Sequence, residues 1–221
     1  MALAKISPAT EDYLRTIYAL EEDFQPVIAA RVAEEMGVSA STMVSTLRRL
    51  EREGYVKVER RKDIHLTAEG IKIAEGILRR HYLIERFLTD LLGLDWVKAH
   101  QEAHRLEHAV SQEVEERLAN LLGHPTTCPH GNRIPGKSAP QSKKGTPLNQ
   151  TPAGKEVELE YITETGERDT RLLGFLQEHK LVPGARVQVV DVAPSLGMIT
   201  LAVGQDQFSL GIEAAKKIRV H

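Results

Sequence analysis

Between Ser7 and Gly54 the apolar positions recur at helical spacing in three short blocks. Tyr13, Leu14, Ile17, Tyr18 and Leu20 form the first, opened by Ser7-Pro8, a hydroxyl N-cap followed by proline at the first helical position. Val27, Ile28, Val32 and Met36 predict a second helix from Pro26 to Met36, broken at Gly37. Met43, Leu47 and Leu50 predict a third from Ser39 to Glu53, ended by Gly54. Two short helices joined in this way form a helix-turn-helix. From Tyr55 the period changes to two: Val56/Val58 and Ile64/Leu66 flank the charged tip Arg60-Arg61-Lys62-Asp63, which predicts a β-hairpin with a basic end. A three-helix unit followed by such a hairpin is a winged helix.

Residues 69–92 return to the helical period through Ile73, Ile77, Ile84, Phe87, Leu88 and Leu91. After Gly93, Asp95 and Trp96 open what reads as one helix, its apolar residues Val97, Leu106, Val110, Val114, Leu118, Leu121 and Leu122 running to Gly123. These two helices carry more apolar surface than a small winged helix covers, which predicts a homodimer built through them. From His124 to Gly154 the composition shifts to Pro, Gly, Ser, Thr and Lys, the signature of a linker. Beyond it Val157, Leu159 and Tyr161 alternate with Glu156, Glu158 and Glu160. A short helix over 169–178 and strands marked by Val187, Val189, Ile199, Leu201, Phe208 and Ile218 complete a small barrel.

Composition narrows the function. The chain has 221 residues, 41% hydrophobic and 27% charged, ordinary values for a globular protein with room for one large or two small domains. No apolar run has the length of a membrane span and Met-Ala-Leu-Ala-Lys lacks a signal-peptide core, so the expected location is cytoplasmic, away from any membrane. The single Cys128 fits a reducing compartment. A formal net charge of −2 excludes a generally basic coat, so contact with double-stranded DNA must come from a local patch. Such a patch is present. Ser39, Ser41, Thr42 and Ser45 leave the start of the third helix short and polar, fit to enter a major groove, and Arg48 follows with positive charge, as do Arg49 and Arg52. Arg60, Arg61 and Lys62 on the wing would meet phosphates or the minor groove.

The candidate chemistry lies in His100-Gln-Glu-Ala-His104-Arg-Leu-Glu107-His108. On a continuous helix these four residues fall at i, i+4, i+7 and i+8, one stripe of imidazole and carboxylate able to hold a divalent first-row ion if another segment closes the shell. The plainer reading is an amphipathic helix with satisfied histidines. Asp12 reads either as an ordinary early-helix carboxylate or as that closing ligand. His81 and Glu85 share one turn, a weak signal alone, and Cys128-Pro-His130 offers a Cys-x-His pair that is non-specific without a second pair. His104-Arg-Leu-Glu-His108 also matches H-x-x-E-H, the signature of a zinc metallopeptidase, though no water-activating pocket can be read. A metal-independent winged-helix DNA-binding module is the third alternative.

With a winged helix followed by a His/Glu-bearing dimer helix, the chain resembles the diphtheria-toxin repressor family of metal-dependent transcription regulators, including its manganese-transport-regulator branch. The resemblance is carried by Thr10-Glu-Asp-Tyr-Leu-Arg15, the Ser39–Gly54 helix, Arg80-His-Tyr-Leu-Ile-Glu85, Ala99–His108 and Gly131-Asn-Arg-Ile-Pro-Gly136, and more loosely by the C-terminal region. It implies a mainly α fold with a small β part: a winged helix-turn-helix (1–70), a helical metal-binding and dimerisation domain (71–136), a linker (137–154) and an SH3-like barrel (155–221). It implies a regulatory metal site at Asp12, His104, Glu107 and His108. It also implies an ancillary site at His81, Glu85 and His100, with further ligands near Glu167 and Asp169. Asp12 and His104 stand where iron-responsive members have Met and Cys, so the regulatory set holds no sulfur and leans towards Mn²⁺, with Fe²⁺ also fitting. The carboxylate that the manganese branch adds one turn later falls on Arg15, which weighs against a close pair of ions there. The implied function is a metal-activated, operator-binding regulator, a repressor of metal-uptake genes.

Overall fold

The computed structural model describes residues 6–23, 25–59, 63–136 and 145–221. It divides into two compact units at Arg80/His81, within one helix. Arg60, Arg61 and Lys62 lie outside the described residues.

In the first unit, α1 (Pro8–Asp23), α2 (Ala29–Glu35) and α3 (Ala40–Arg52) precede a hairpin of β1 (Val56–Val58) and β2 (Ile64–Leu66), and α4 (Ala68–Arg86) begins. Leu14, Ile17, Leu20, Val32, Met43, Leu50, Val56 and Ile64 meet in one core, as the helical and alternating stripes require. Burying each such side chain contributes roughly 1.5–3 kcal/mol. Ser39 caps α3, its Oγ accepting from Thr42 N at 3.1 Å. The hairpin is antiparallel, Val56 opposite Leu66. The second helix starts at Ala29 rather than Pro26, because the preceding backbone is committed to the hairpin: Val27 N donates to Asp63 Oδ1 at 3.0 Å and Ile64 N to Val27 O at 2.9 Å.

In the second unit, α4 runs on to Arg86 and widens into a π-helical turn over Phe87–Leu91. The expected single helix from Trp96 to Leu122 is two, α5 (Trp96–Leu106) and α6 (Gln112–Leu121). Ser111 stops any continuation by capping α6, with its Oγ 3.4 Å from Val114 N. The remaining elements are β3 (Thr146–Pro147), β4 (Glu156–Ile162), α7 (Glu164–Glu167), α8 (Thr170–Glu178), β5 (Arg186–Ala193), β6 (Met198–Val203), β7 (Asp206–Gly211), α9 (Ile212–Ala215) and β8 (Ile218–Val220). The strands pair antiparallel in the order β3-β8-β4-β5-β6-β7. Their inner face packs with Leu172, Leu173 and Leu176 of α8 and with Trp96. A bulge between Leu159 and Tyr161 shifts the alternation by one, so Ile162, not Tyr161, is the third buried residue of β4.

Candidate metal centres and nucleic-acid interface

The end of α5 divides the histidine stripe. Glu107 is the helix's C-cap and His108 lies in the turn beyond, so the four residues do not form one helical stripe. His104, with its side chain 55% exposed, places Nδ1 2.9 Å from Glu107 Oε1, and His108 Nε2 is 3.5 Å from the same oxygen. Glu107 itself is fully buried. Its other oxygen faces inward, 2.5 Å from His81 Nδ1. Three of the four expected regulatory donors are thereby gathered, while Asp12 stands half-buried on α1 of the first unit.

His100 turns the other way, into a buried cluster drawn from four segments. His81 and Glu85, one turn apart on α4, bring Nε2 and Oε1 to 2.8 Å, and His100 Nδ1 lies 2.8 Å from the same Oε1. From the opposite side, His130 Nδ1 stands 3.1 Å from Glu167 Oε1 and 3.4 Å from Glu85 Oε2. The Cys128 thiol is 3.5 Å from Glu167 Oε1. Within His81, Glu85, His100 and Glu167, and again within Glu85, Cys128, His130 and Glu167, one donor atom per residue lies within 4.8 Å of all the others. Three buried atoms, Glu85 Oε2, Glu167 Oε2 and His130 Nε2, have no hydrogen-bond partner among the described residues. Orphaned buried oxygens beside imidazole and thiol are what a divalent cation requires, so the donor set fits a metal.

The Cys-x-His pair is therefore no bystander. Its turn is fixed by Cys128 N donating to Asn132 O at 2.7 Å and by Arg86, whose Nη2 donates to Cys128 O at 3.1 Å. Gly131 holds φ +90° and sits so close to β4 that a Cβ there would fall 2.3 Å from Glu160 O, leaving glycine as the residue that fits. Asn132 Nδ2 donates to both Ile162 O and Glu167 Oε1 at 2.5 Å, orienting the carboxylate. Of the two acidic residues expected from the C-terminal part, Glu167 enters the cluster. Asp169 does not, because its Oδ1 is used as the N-cap of α8, accepting from Leu172 N at 3.1 Å.

Burial alone would raise the Glu85 carboxyl, but the facing His81 and His130 and its hydrogen bond with His100 hold it well below the usual range. Burial and the neighbouring Glu85 push Glu167 up. His130 is held well above the ordinary histidine value, against its burial, by Glu85 and Glu167. Burial, then Glu167, raises the Cys128 thiol, so the free side chain is a thiol. Without a cation, protonated histidine supplies the positive charge that the buried carboxylates need.

On the first unit, Ser39, Ser41, Thr42, Ser45 and Arg48 are all exposed along α3. Val44, three residues after Ser41 on the same helix, is 45% exposed, an apolar residue among the polar ones that the sequence pattern picks out. Arg49 is turned inward, its Nη1 donating to Thr10 Oγ1 at 3.0 Å, which braces α3 against α1.

Comparison with known proteins agrees along the whole chain. Residues 5–64 match the iron-dependent repressor N-terminal DNA-binding domain, 67–136 the iron-dependent repressor metal-binding and dimerisation domain, and 146–221 the FeoA domain. The iron-dependent repressor IdeR of Mycobacterium leprae is 37% identical over 96% of both chains. The diphtheria toxin repressor of Corynebacterium diphtheriae is 36% identical over 96% of both. The solved structure of a manganese-dependent transcriptional repressor in complex with manganese superposes with a TM-score of 0.85 at 32% identity, covering 96% of this chain and 98% of that one. The chain belongs to the iron-dependent and diphtheria-toxin repressor family of metal-dependent, DNA-binding transcriptional repressors. It is a regulator and not an enzyme, and the H-x-x-E-H match in His104–His108 marks no peptidase.

Proposed function

We propose that this regulator represses metal-uptake genes in response to Mn²⁺, with Fe²⁺ as the competing activator. The observation that carries the reading is the donor set at the end of α5: His104, Glu107 and His108 converge within hydrogen-bonding reach, half open to water and without sulfur. Oxygen and imidazole donors of this kind suit hard first-row ions. Asp12 completes the set, so that Asp12, His104, Glu107 and His108 hold one divalent ion and tie α1 to the end of α5. The ion supplies charge and directed bonds. The tie fixes the orientation of the winged helix (1–70) relative to the helical domain (71–136).

Two copies of the chain then present Ser39, Ser41, Thr42, Ser45 and Arg48 to half-sites of a double-stranded operator, roughly 34 Å apart or a multiple of it. Arg60, Arg61 and Lys62 add phosphate contacts. Leu91, Leu92, Leu106, Val114 and Leu121 are large exposed apolar residues of the helical domain, and the homodimer covers them. No helix among the described residues is long and apolar enough to cross a membrane, in keeping with work on DNA in the cytoplasm. The buried cluster of His81, Glu85 and His100, extended by Cys128, His130 and Glu167, is the ancillary centre, and residues 155–221 serve it by contributing Glu167.

The test is operator selection from a pool of genomic fragments at fixed salt, with chelator, Mn²⁺, anaerobic Fe²⁺ or Zn²⁺. Retention that appears with Mn²⁺ or Fe²⁺ and vanishes with chelator is expected. Equal retention in chelator would overturn the metal dependence of this chain's DNA binding.

A further inference from the structure

The two overlapping donor groups share both of their carboxylates. Glu85 directs Oε1 to His81 and His100, at 2.8 Å each, and Oε2 to His130, at 3.4 Å. Glu167 does the same in mirror fashion: Oε1 meets His130 and Cys128 at 3.1 and 3.5 Å, and Oε2 turns to His100 at 3.8 Å. Each carboxylate thus has one oxygen per side. One side is closed by two imidazoles, the other by an imidazole and a thiol.

We propose that this cluster is a binuclear centre: two divalent cations bridged by Glu85 and Glu167, one finished by His81 and His100, the other by Cys128 and His130. The inference rests on the reading that the cluster binds metal, and adds the number of ions and the bridging.

The spacing of the rings favours two ions over one. With a metal–nitrogen bond of about 2.1 Å, a ligating imidazole has its centroid roughly 3 Å from the ion, so two rings on one ion reach a separation of about 6 Å only from opposite sides. His81 and His100, 4.9 Å apart at 73°, suit neighbouring positions on one ion. His100 and His130 are 6.4 Å apart, suited to different ions. Carboxylate-bridged pairs stand about 3.5–4 Å apart, a separation that the two oxygens of one carboxylate span.

Charge agrees. Two divalent ions face Glu85, Glu167 and the thiolate that Cys128 becomes on coordination. Glu107, 2.5 Å from His81 Nδ1, adds the fourth negative charge through the ring. Asn132 and Trp96 position the sulfur side, Asn132 by donating to Glu167 and Trp96 by standing edge-on to His130 at 4.7 Å. The sides differ in softness, so thiophilic ions should fill the Cys128 side first.

The experiment uses the full-length chain carrying Asp12→Ala and His108→Ala, which removes the regulatory site. Metal-free protein is equilibrated with Mn²⁺, bound manganese is counted per protomer, and its electron paramagnetic resonance is recorded. Two equivalents with an exchange-coupled spectrum are expected. Adding Cys128→Ser, or separately His100→Gln, should remove one equivalent and the coupling while one uncoupled ion stays. With Co²⁺, the thiolate-to-cobalt band should be present in the parent and in His100→Gln, and absent in Cys128→Ser.

One equivalent with an uncoupled spectrum in the parent would overturn the binuclear centre and leave a mononuclear ancillary site standing. No bound manganese or cobalt would overturn both. Circular dichroism of each metal-free variant shows whether it has folded, and the paired variants on opposite sides keep the test decisive if one has not.

Discussion

The two clusters that meet at Glu107 differ chiefly in water. On one oxygen stand His104 and His108, the first of them more than half exposed; through the other lies a cage whose His81, Glu85, His130 and Glu167 are fully buried. Buried donors keep their arrangement because the alternative is an uncompensated charge in a low-dielectric interior, whereas exposed donors can be rehydrated when an ion leaves. The open cluster therefore suits reversible sensing, and the closed one suits lasting occupancy that steadies the fold.

The largest test of this contrast is Glu85→Gln. In the metal-free protein it leaves the His130 cation with Glu167 as its remaining partner, and breaking a buried pair in this way costs about 3–5 kcal/mol. Denaturant unfolding under chelation measures it, and a loss below about 1 kcal/mol, the range of a surface pair, would mean that the cage holds no buried charge. Asp12→Ala comes next. It should remove the metal-linked gain in operator affinity, typically about 1–3 kcal/mol, while leaving the dimer and most of the metal-free stability unchanged. Fluorescence anisotropy with and without Mn²⁺ reads it, and an unaltered gain would exclude Asp12 as a ligand.

The smallest effect is on pH. Because Glu85 and Glu167 hold the His130 proton above the ordinary histidine range, a cation entering the cage must displace it. Apparent affinity there should rise about tenfold, or 1.4 kcal/mol, per pH unit and per proton released, the slope dropping by one proton once His130 is neutral while the Cys128 thiol still has its proton to give. Calorimetric titration of the Asp12→Ala protein in buffers of different ionisation enthalpy counts these protons. A slope of one proton, unchanged from mildly acid to mildly alkaline pH, would show that the cage is not held by histidinium.

Much of this was legible in the chain. The winged helix follows from Leu14, Ile17, Met43, Leu47 and the Val56/Ile64 alternation, since short-range periodicity decides which face is buried. The break after Leu106 was hidden because Val110, Val114 and Leu118 continue the helical period across it, and Ser111, an N-cap in mid-pattern, was the unused signal. The Cys128/His130 pair looked non-specific because its partners Glu85 and Glu167 come from distant segments, one on α4 and one on α7. No local spacing rule links residues that meet only once β4 has formed. Glu167 and Asp169 were inseparable by sequence until the caps of α7 and α8 claimed Thr163 and Asp169.

Gly131 rests on the Glu160–Tyr161 backbone and Ile162 N donates to His130 O, so the turn bearing Cys128 and His130 cannot settle before β4 exists. Synthesis supplies the chain N-terminus first, at about 5–20 residues per second. The winged helix and α5 thus emerge while the cage still lacks its floor. The nascent regulator can carry its DNA-reading surface for some seconds before Glu167 arrives, and closure of the cage is among the last events in its maturation.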